Sequence, residues 1–257
     1  MALYLRLLGA GVRARLQYKF DFLFTTVLYG VITAIDFLTV AAILFRYSSV
    51  AGWNVYEIAL LSGMASASNG LFRVLGSEVT LFERYLVTGE FDNLLIRPWP
   101  TLASLLTRNF DIGRVGAFLQ GLLLVVVGLN GVGAPVWLWV YCLVVPFAGC
   151  LVIGAIYLAV AAAGFWLTRI DELQTFAVNA PLAAVNYPQE IFPKALRWLF
   201  LSLLPMAAIG YVPLSYALGK GGSVLGLVVP FLAAGASVAV SVRLWGWGER
   251  RYQSTGS

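Results

Sequence analysis

The chain has 257 residues, of which 60% are apolar and only 11% are charged, and its mean hydropathy is +0.85. Soluble domains hold about 45–50% apolar and about 25% charged residues, so a soluble fold of this size would lack the polar groups to cover its surface. The composition therefore predicts a protein with several membrane spans. The net charge of +5 is spread thinly beside apolar runs. This pattern excludes a nucleic-acid-binding protein and is typical of residues that set membrane topology.

Six apolar segments are predicted to cross the membrane as helices in an all-α fold. They comprise residues 22–45, 55–75, 115–129, 137–167, 173–187 and 223–245. Residues 1–21 mix basic and apolar side chains and are predicted to form an interface helix on the membrane surface. Residues 188–218 hold several prolines and are predicted to form a broken re-entrant hairpin in the outer leaflet. Such backbone is tolerated there only against protein or a wet cavity.

The distribution of charge favours six spans over seven, the count obtained if residues 198–218 also crossed. With six spans and an inner amino terminus, only Arg46, Lys194, Arg197 and Lys220 of the 17 basic residues lie outside. An excess of basic residues is typical of cytoplasmic segments. Both termini are therefore predicted to be cytoplasmic, in a multi-pass protein of the cell (inner) membrane.

Polar side chains in the first two spans are candidate pathway or dimer-seam residues. In span one, Tyr29, Thr33 and Asp36 share a helical face, and an acid inside a span is a functional candidate. In span two, the same role is assigned to a stripe of small and polar residues. They are Ser62, Ser66, Asn69 and Arg73. All of these residues could instead serve only in helix packing, Asp36 by bonding to the next helix, so both interpretations stay open.

Residues 76–114 are far longer than a plain connector between spans two and three requires. Residues 77–88 place apolar side chains on one helical face, and residues 90–96 form a second amphipathic element that ends at Arg97-Pro98-Trp99-Pro100. We expect exposed aromatic side chains here that fit a groove of a soluble partner; a plain solvated loop is the alternative. Candidate coupling residues are Phe82, Glu83, Arg84, Tyr85, Gly89, Glu90, Phe91, Asp92, Leu95, Arg97 and Pro98.

Enzyme chemistry finds little support in the sequence. The chain has no histidine, and its two cysteines, Cys142 and Cys150, lie about 12 Å apart along a helix, too far for a disulfide. It also has no phosphate-binding loop, no G-x-S-x-G motif and no paired carboxylates within a span. We therefore expect a non-catalytic chain with no metal site and no nucleotide site of its own.

These features, together with three sequence strings, resemble the permease subunits of ABC-2-type exporters. The strings are YLVTGEFDNLLIRPWPTL (residues 85–102), NYPQEIFP (residues 186–193) and the tail RRYQSTGS. They are similar to one bacterial subfamily that includes viologen-exporter-like permeases. The resemblance implies a single transmembrane domain over residues 1–257, which lies in the bilayer and pairs with a second copy or a related permease.

The same resemblance implies partners and roles for particular segments. Residues 90–96 match the family's coupling helix, reinforced by residues 77–88, and would receive force from two ABC ATPase subunits. ATP and Mg²⁺ would be bound by those ATPases, and this chain would bind no cofactor. The hairpin would lie at an outer gate, for which the candidate residues are Pro188, Glu190, Pro193, Pro205 and Pro213.

The main prediction is therefore the permease subunit of an ATP-driven exporter that moves a hydrophobic or amphipathic molecule outward. One alternative is a secondary transporter that uses Asp36 to couple transport to protons. A second alternative is a membrane assembly subunit that transports nothing. The long inner loop and the lack of a nucleotide site favour the exporter subunit over both.

Overall fold

The computed structural model describes residues 19–47, 49–167, 169–185, 188–202 and 204–253. Within these ranges the regular elements are helices, apart from an isolated bridge between Val50 and Trp53. The α-helices are α1 (Lys19–Tyr47), α2 (Val55–Thr80), α3 (Phe82–Val87), α4 (Asp92–Leu95), α5 (Thr101–Leu106), α6 (Val115–Gly131), α7 (Val136–Leu167), α8 (Asp171–Gln174), α9 (Ala180–Val185), α10 (Lys194–Leu201), α11 (Tyr211–Ala217) and α12 (Val229–Glu249). The predicted all-α fold is confirmed. Of the interface helix predicted for residues 1–21, residues 1–18 lie outside the described residues.

Among the described residues, five helical segments are long and apolar enough to cross a membrane, as expected of a multi-pass membrane protein. They are Lys19–Thr39, Val55–Val87, Ile112–Gly131, Val136–Leu167 and Val229–Glu249, and they correspond to predicted spans one to four and six. Two ends differ most from the prediction. Helix α2 continues past residue 75 through a kink at Gly76. Helix α12 begins later than residue 223, because Pro230 favours the first turn of a helix.

Glycines allow the first three long helices to pack closely. A Cβ atom added to Gly63 of α2 would lie 2.7 Å from the backbone nitrogen of Val125 in α6, and Gly121 of α6 meets α2 in the same way. Helix α1 crosses α6 where Gly30 faces Gly116. Small residues permit such close approach between membrane helices. The glycine side of α2 therefore serves helix packing.

The loop of residues 76–114, which we call the elbow, folds against one end of the bundle as the short helices α3, α4 and α5. The indole Nε1 of Trp245, near the end of α12, donates a hydrogen bond to the Thr101 hydroxyl of α5 at 3.3 Å. We call this the elbow end of the bundle and the opposite one the hairpin end.

The fifth predicted span, residues 173–187, is a broken helix. Helix α8, a π-helical segment (Thr175–Asn179) and α9 follow one another directly. Pro181 lacks the N–H group that would continue the α-helical pattern, and the π-helical segment lies just before it. At about 1.5 Å per residue this helix is shorter than the roughly 30 Å of a bilayer's apolar core. That it crosses the membrane therefore stays a prediction.

Residues 188–218 contain the bend that the prolines predict. Helix α10 and the stretch Pro205–Ala217 are bent by 65° relative to each other. The Tyr211 hydroxyl donates a hydrogen bond to Oε1 of Glu190 at 2.7 Å, so the beginning of this segment and its second limb lie at the same end of the bundle. The Tyr211 ring is also 5.9 Å from that of Trp53, close to the start of α2. These contacts favour a re-entrant hairpin over a further crossing.

Candidate functional site

The aromatic side chains of the elbow are buried within the protein. Phe82, Tyr85 and Phe91 are each 0% exposed. The prediction that these rings are presented to a soluble partner is therefore wrong. The ends of α7 and α12 supply Phe165 and Trp245, against which Phe82 and Phe91 pack. Burying the rings there removes apolar area from water, which stabilises the elbow against the bundle.

Five aromatic residues form what we call the ring cluster: Phe82, Phe91, Phe165, Trp245 and Tyr252. The ring centroids of Phe82 and Trp245 are 4.8 Å apart, as are those of Phe91 and Tyr252. Phe165 lies 5.2 Å from both Phe82 and Phe91, with its ring edge-on to each. Tilted and edge-to-face pairs at these distances are favourable beyond the area they bury. The elbow, α7, α12 and the segment after α12 are thereby fixed to one another.

Glu90 and Asp92, two predicted coupling residues, both interact with other residues of the same chain. Glu90 forms an ion pair with Arg108 at 2.8 Å, and the Arg108 guanidinium lies 4.8 Å from the Tyr85 ring centroid. Burial and the nearby Asp92 carboxylate together raise the pKa of Tyr252. Reversing the charge of Glu90 or Asp92 would therefore disturb the elbow itself as well as any partner contact.

Glu83 joins the elbow to the start of α8. Its Oε2 accepts hydrogen bonds from the backbone N–H groups of Ile170 at 2.5 Å and Asp171 at 2.9 Å. A carboxylate at the start of a helix satisfies N–H groups that have no partner within the helix. Partial burial, with the carboxylates of Glu83 and Glu172 nearby, raises the pKa of Asp171. Movement of α3 would thus act directly on the fifth helical segment.

The exposed side of the elbow carries a run of five residues, Leu95, Ile96, Arg97, Pro98 and Trp99, which we call the elbow patch. Ile96 is 82% exposed and Trp99 is 57% exposed. The patch follows the turn at Gly89, whose φ of 70° is one that glycine adopts without strain. Arg84, another predicted coupling residue, is also exposed. An apolar patch rimmed by charge is typical of a protein-binding surface.

Ser62, Ser66, Asn69 and Arg73, which we call the polar stripe, lie along α2 beside its glycine side. Ser62 is buried and the other three are half-buried. Within the described part of the chain, the Ser62 hydroxyl and Oδ1 of Asn69 are buried without a hydrogen-bond partner. Buried polar atoms normally have hydrogen-bond partners, so these two atoms are exceptions within the stripe.

Arg73 belongs to a series of hydrogen bonds that joins three helical segments. We call its members, Arg73, Tyr157 and Asn179, the Arg73 chain. Nη2 of Arg73 donates to the Tyr157 hydroxyl of α7 at 2.8 Å, and that hydroxyl donates to Oδ1 of Asn179 at 3.1 Å. The guanidinium carbon also lies 5.2 Å from the centroid of the Tyr157 ring. Asn179 ends the π-helical segment, and such segments are frequent at functional sites.

The three polar residues of span one are not brought together in one site. Tyr29 lies under Arg114, whose guanidinium carbon is 4.5 Å from the ring centroid, and Arg114 forms an ion pair with Asp111 at 2.8 Å. Thr33 donates its hydroxyl proton to the Tyr29 carbonyl at 2.9 Å. Asp36 is exposed on α1 and makes no ion pair with any residue in the described ranges. Nothing in these ranges supports the interpretation that Asp36 bonds to the next helix of its own chain.

The five predicted gate residues all lie in the hairpin segment. Glu190 accepts the hydrogen bond from the Tyr211 hydroxyl. The prolines each mark a break or a start of a helical turn: Pro188 and Pro193 precede one, and Pro205 and Pro213 lie within the first turn of one. That these residues act as a gate stays a prediction.

An apolar groove of about 720 Å³ lies between α7, α12 and the bend of the hairpin. Its walls are mostly small side chains, such as Ala159 of α7 and Ala236 of α12, with Leu204 and Pro205 at the bend. A groove of this size and character accommodates an apolar molecule or an acyl chain.

Comparison with known proteins decides the family. The family described as ABC-2 family transporter protein matches residues 31–256, which include the elbow, the polar stripe and the hairpin. The chain belongs to this family. No curated protein and no solved structure matches it. An ABC-2 protein of this kind is a membrane transport component. The match does not separate subfamilies, so the viologen-exporter-like assignment stays a prediction.

In this ABC-2 protein, sequence reasoning found the elbow but missed the residues that hold it. Phe165, Trp245 and Tyr252 complete the ring cluster, and Tyr157 and Asn179 complete the Arg73 chain. One signal was present in the sequence, because Asn179 is a polar residue inside a predicted span. The aromatic residues gave no such signal, since aromatics near span ends are common at membrane interfaces.

Proposed function

We propose that this ABC-2 protein is the permease subunit of an ATP-driven exporter in the cell (inner) membrane, with both termini cytoplasmic. It moves a hydrophobic or amphipathic molecule outward and pairs in the bilayer with a second copy or a related permease. Two separate ABC ATPase subunits bind ATP and Mg²⁺ and hydrolyse the nucleotide. The permease binds no cofactor and receives only mechanical force.

The elbow is the observation that carries this proposal. It presents an exposed apolar patch, while the ring cluster fixes its other side to α7 and α12. A flexible loop could bind an ATPase but could not transmit its movement. An element that is exposed on one side and packed rigidly on the other can do both.

Two connections lead from the elbow to the rest of the bundle. The ring cluster would carry movement into α7 and α12, whose walls form the apolar groove. The Glu83 carboxylate would carry it into α8 and so to the π-helical segment. Closure of the ATPase pair would in this way shift the helices that border the proposed path.

Replacing Ile96 by aspartate is the direct test of ATPase docking at the elbow patch. Ile96 is 82% exposed, so the substitution should leave the fold intact while placing a charge in an apolar interface. Interface residues of this kind cost about 2 kcal/mol or more when lost, so we expect the partner ATPase subunit to bind roughly thirtyfold more weakly. The measurement is co-purification in mild detergent together with the rate of stimulated ATP turnover.

Val224→Asp is the matched control for this substitution. Val224 is also an exposed apolar residue, at 56%, but it lies after the hairpin, at the start of the turn before α12. This variant should retain the ATPase. Equal ATPase binding by the Ile96→Asp variant and the unaltered permease would show that the patch is not the docking surface.

The proposed sidedness is tested separately by reporter fusions. Reporters inserted after Ser49 and after Gly221 are expected outside the cell, and one after Tyr252 is expected inside. This outcome follows from the excess of basic residues in the segments assigned to the cytoplasm. A Tyr252 fusion located outside would contradict the six-span arrangement.

A further inference from the structure

Arg73 has a positive charge that no acidic residue neutralises within the described ranges. The ion pairs formed there join other residues, namely Arg108 with Glu90, Arg114 with Asp111 and Lys220 with Glu57. The partner of Arg73 is instead the neutral hydroxyl of Tyr157. That bond occupies one of the five N–H donors of the guanidinium. Tyr157 therefore orients the Arg73 charge without cancelling it.

Arg114 adds a second positive charge at the same height in the bundle. Gly70 of α2 packs against Phe118 of α6. The two helices are antiparallel, and Arg73 lies one turn after Gly70. Arg73 therefore lies near the start of α6. Arg114 is the residue directly before α6. Of the two arginines, Arg114 has a carboxylate partner, so the local balance is positive.

The Arg73 chain has one buried member, Tyr157, and two members that reach the surface, Arg73 and Asn179. Tyr157 is 1% exposed, Arg73 is half-buried and Asn179 is exposed. The unpartnered Oδ1 of Asn69 lies one helical turn along the same stripe. A charged group that is held in position by a buried residue loses little freedom when a ligand binds, which favours affinity.

We propose that Arg73, oriented by Tyr157 and Asn179 and assisted by Arg114, binds the acidic head group of an amphiphile at the elbow end of the polar stripe. A guanidinium binds carboxylate, sulfonate or phosphate oxygens through charge-assisted hydrogen bonds. The low dielectric of a partly buried site strengthens such bonds. This inference rests on the proposed function, because it takes the polar stripe as part of the substrate path. It then names the substrate class as an apolar molecule with an acidic group at one end.

The same site disfavours permanently cationic substrates. Two guanidinium groups, of which Arg114 alone has an ion-pair partner within the described ranges, repel a dication such as a viologen. An anionic phospholipid carries the same acidic chemistry as an acidic amphiphile, so the site could take either molecule. Changing the lipid composition around the permease separates these two sources.

The test uses the full permease in nanodiscs of phosphatidylcholine, without any ATPase. The probes are a dansylated amino-undecanoic acid and its methyl ester, which differ only in the acidic group. Binding is followed as saturable energy transfer from protein tryptophan to dansyl. We expect the acid to bind about tenfold more tightly than the ester, the factor that corresponds to one retained charge-assisted contact.

Three variants show whether Arg73 is responsible. Arg73→Gln should abolish the preference for the acid, Arg73→Lys should keep part of it, and Tyr157→Phe should reduce it because the guanidinium loses its anchor. Arg243→Gln is the matched control, since Arg243 is an exposed arginine near the end of α12. The preference should survive there. If Arg73→Gln does not fold, the Lys and Phe variants still decide the outcome.

Several results would overturn the inference. One is equal binding of the acid and the ester. Another is a preference for the acid that stays unchanged in Arg73→Gln or Tyr157→Phe, or that is lost in Arg243→Gln as much as in Arg73→Gln. A third is displacement of the acid by methyl viologen. Displacement of the acid by phosphatidylglycerol in the nanodisc identifies a lipid head group as the natural occupant, and resistance to it identifies a free amphiphile. Because no ATPase is present, failure here is independent of failure at the elbow patch.

Discussion

Replacing Phe91 by alanine is expected to release the elbow from the bundle while the long helices stay in place. The Phe91 side chain is fully buried and contacts the other four members of the ring cluster. Removing a buried phenylalanine ring costs about 3–5 kcal/mol. We expect that loss to fall on the local unfolding free energy of α3 and α4. Hydrogen exchange of their backbone amides in nanodiscs measures it directly.

Leu95→Ala is the control for the Phe91 substitution, because it removes an apolar side chain from the same elbow that is 43% exposed. Its amide exchange should change little. The Phe91 variant also has a distinct functional signature, since its elbow patch is chemically intact. It should still bind the ATPase, but ATP turnover should no longer drive transport. Unchanged amide protection in Phe91→Ala would show that the ring cluster does not hold the elbow.

The elbow shows what helical periodicity can and cannot predict. The spacing predicts Leu81, Phe82, Tyr85 and Leu86 on one helical face. The structure buries Phe82, Tyr85 and Leu86 together, but Leu81 is exposed at the break between α2 and α3. Periodicity does not say whether such a face meets a partner protein or the same chain. Here the answer depends on Phe165 and Trp245, which are far away in the sequence and reach the elbow only because α7 and α12 end beside it. The existence of the surface was predictable, but not its occupant.

The spans were predictable where length and hydropathy agree, and less so elsewhere. Five predicted spans correspond to long helices, since a run of about 20 apolar residues has few alternatives to a membrane helix. The fifth predicted span is broken because Pro181 interrupts the hydrogen-bond pattern, and a local break of this kind does not alter average hydropathy. The proline-rich composition of residues 188–218 did predict a bend, because proline restricts the backbone directly.

The Arg73 chain was predictable only in part. Arg73 was selected because it continues the polar stripe, and the structure gives it specific partners. Tyr157 and Asn179 were not selected, because their relation to Arg73 arises from packing of α2, α7 and the π-helical segment. Side-chain chemistry within one helix can be inferred from spacing, whereas a site shared by three helices requires their relative positions.

A leucine at Gly63 is expected to separate α2 from α6 and to lower the global stability of the bundle. A Cβ atom at this position would lie 2.7 Å from the Val125 backbone nitrogen and 2.9 Å from the Gly121 carbonyl oxygen. Overpacking of a protein interior costs typically about 1–3 kcal/mol. This site should reach or exceed the upper end, because the obstructing atoms belong to backbone that cannot rotate aside. The midpoint of thermal unfolding in detergent should fall accordingly.

Gly235→Leu separates this packing effect from the general effect of adding leucine to a membrane helix. Gly235 lies within α12, and a Cβ atom added there meets no atom within 4 Å. Both substitutions increase helix propensity and apolar area by the same amount, so neither property can explain a difference between them. The Gly63 variant should be destabilised and the Gly235 variant should be unchanged or slightly more stable. If both variants unfold at the same temperature, close contact at Gly63 does not hold α2 against α6. The α2–α6 contact would then not be what positions the polar stripe.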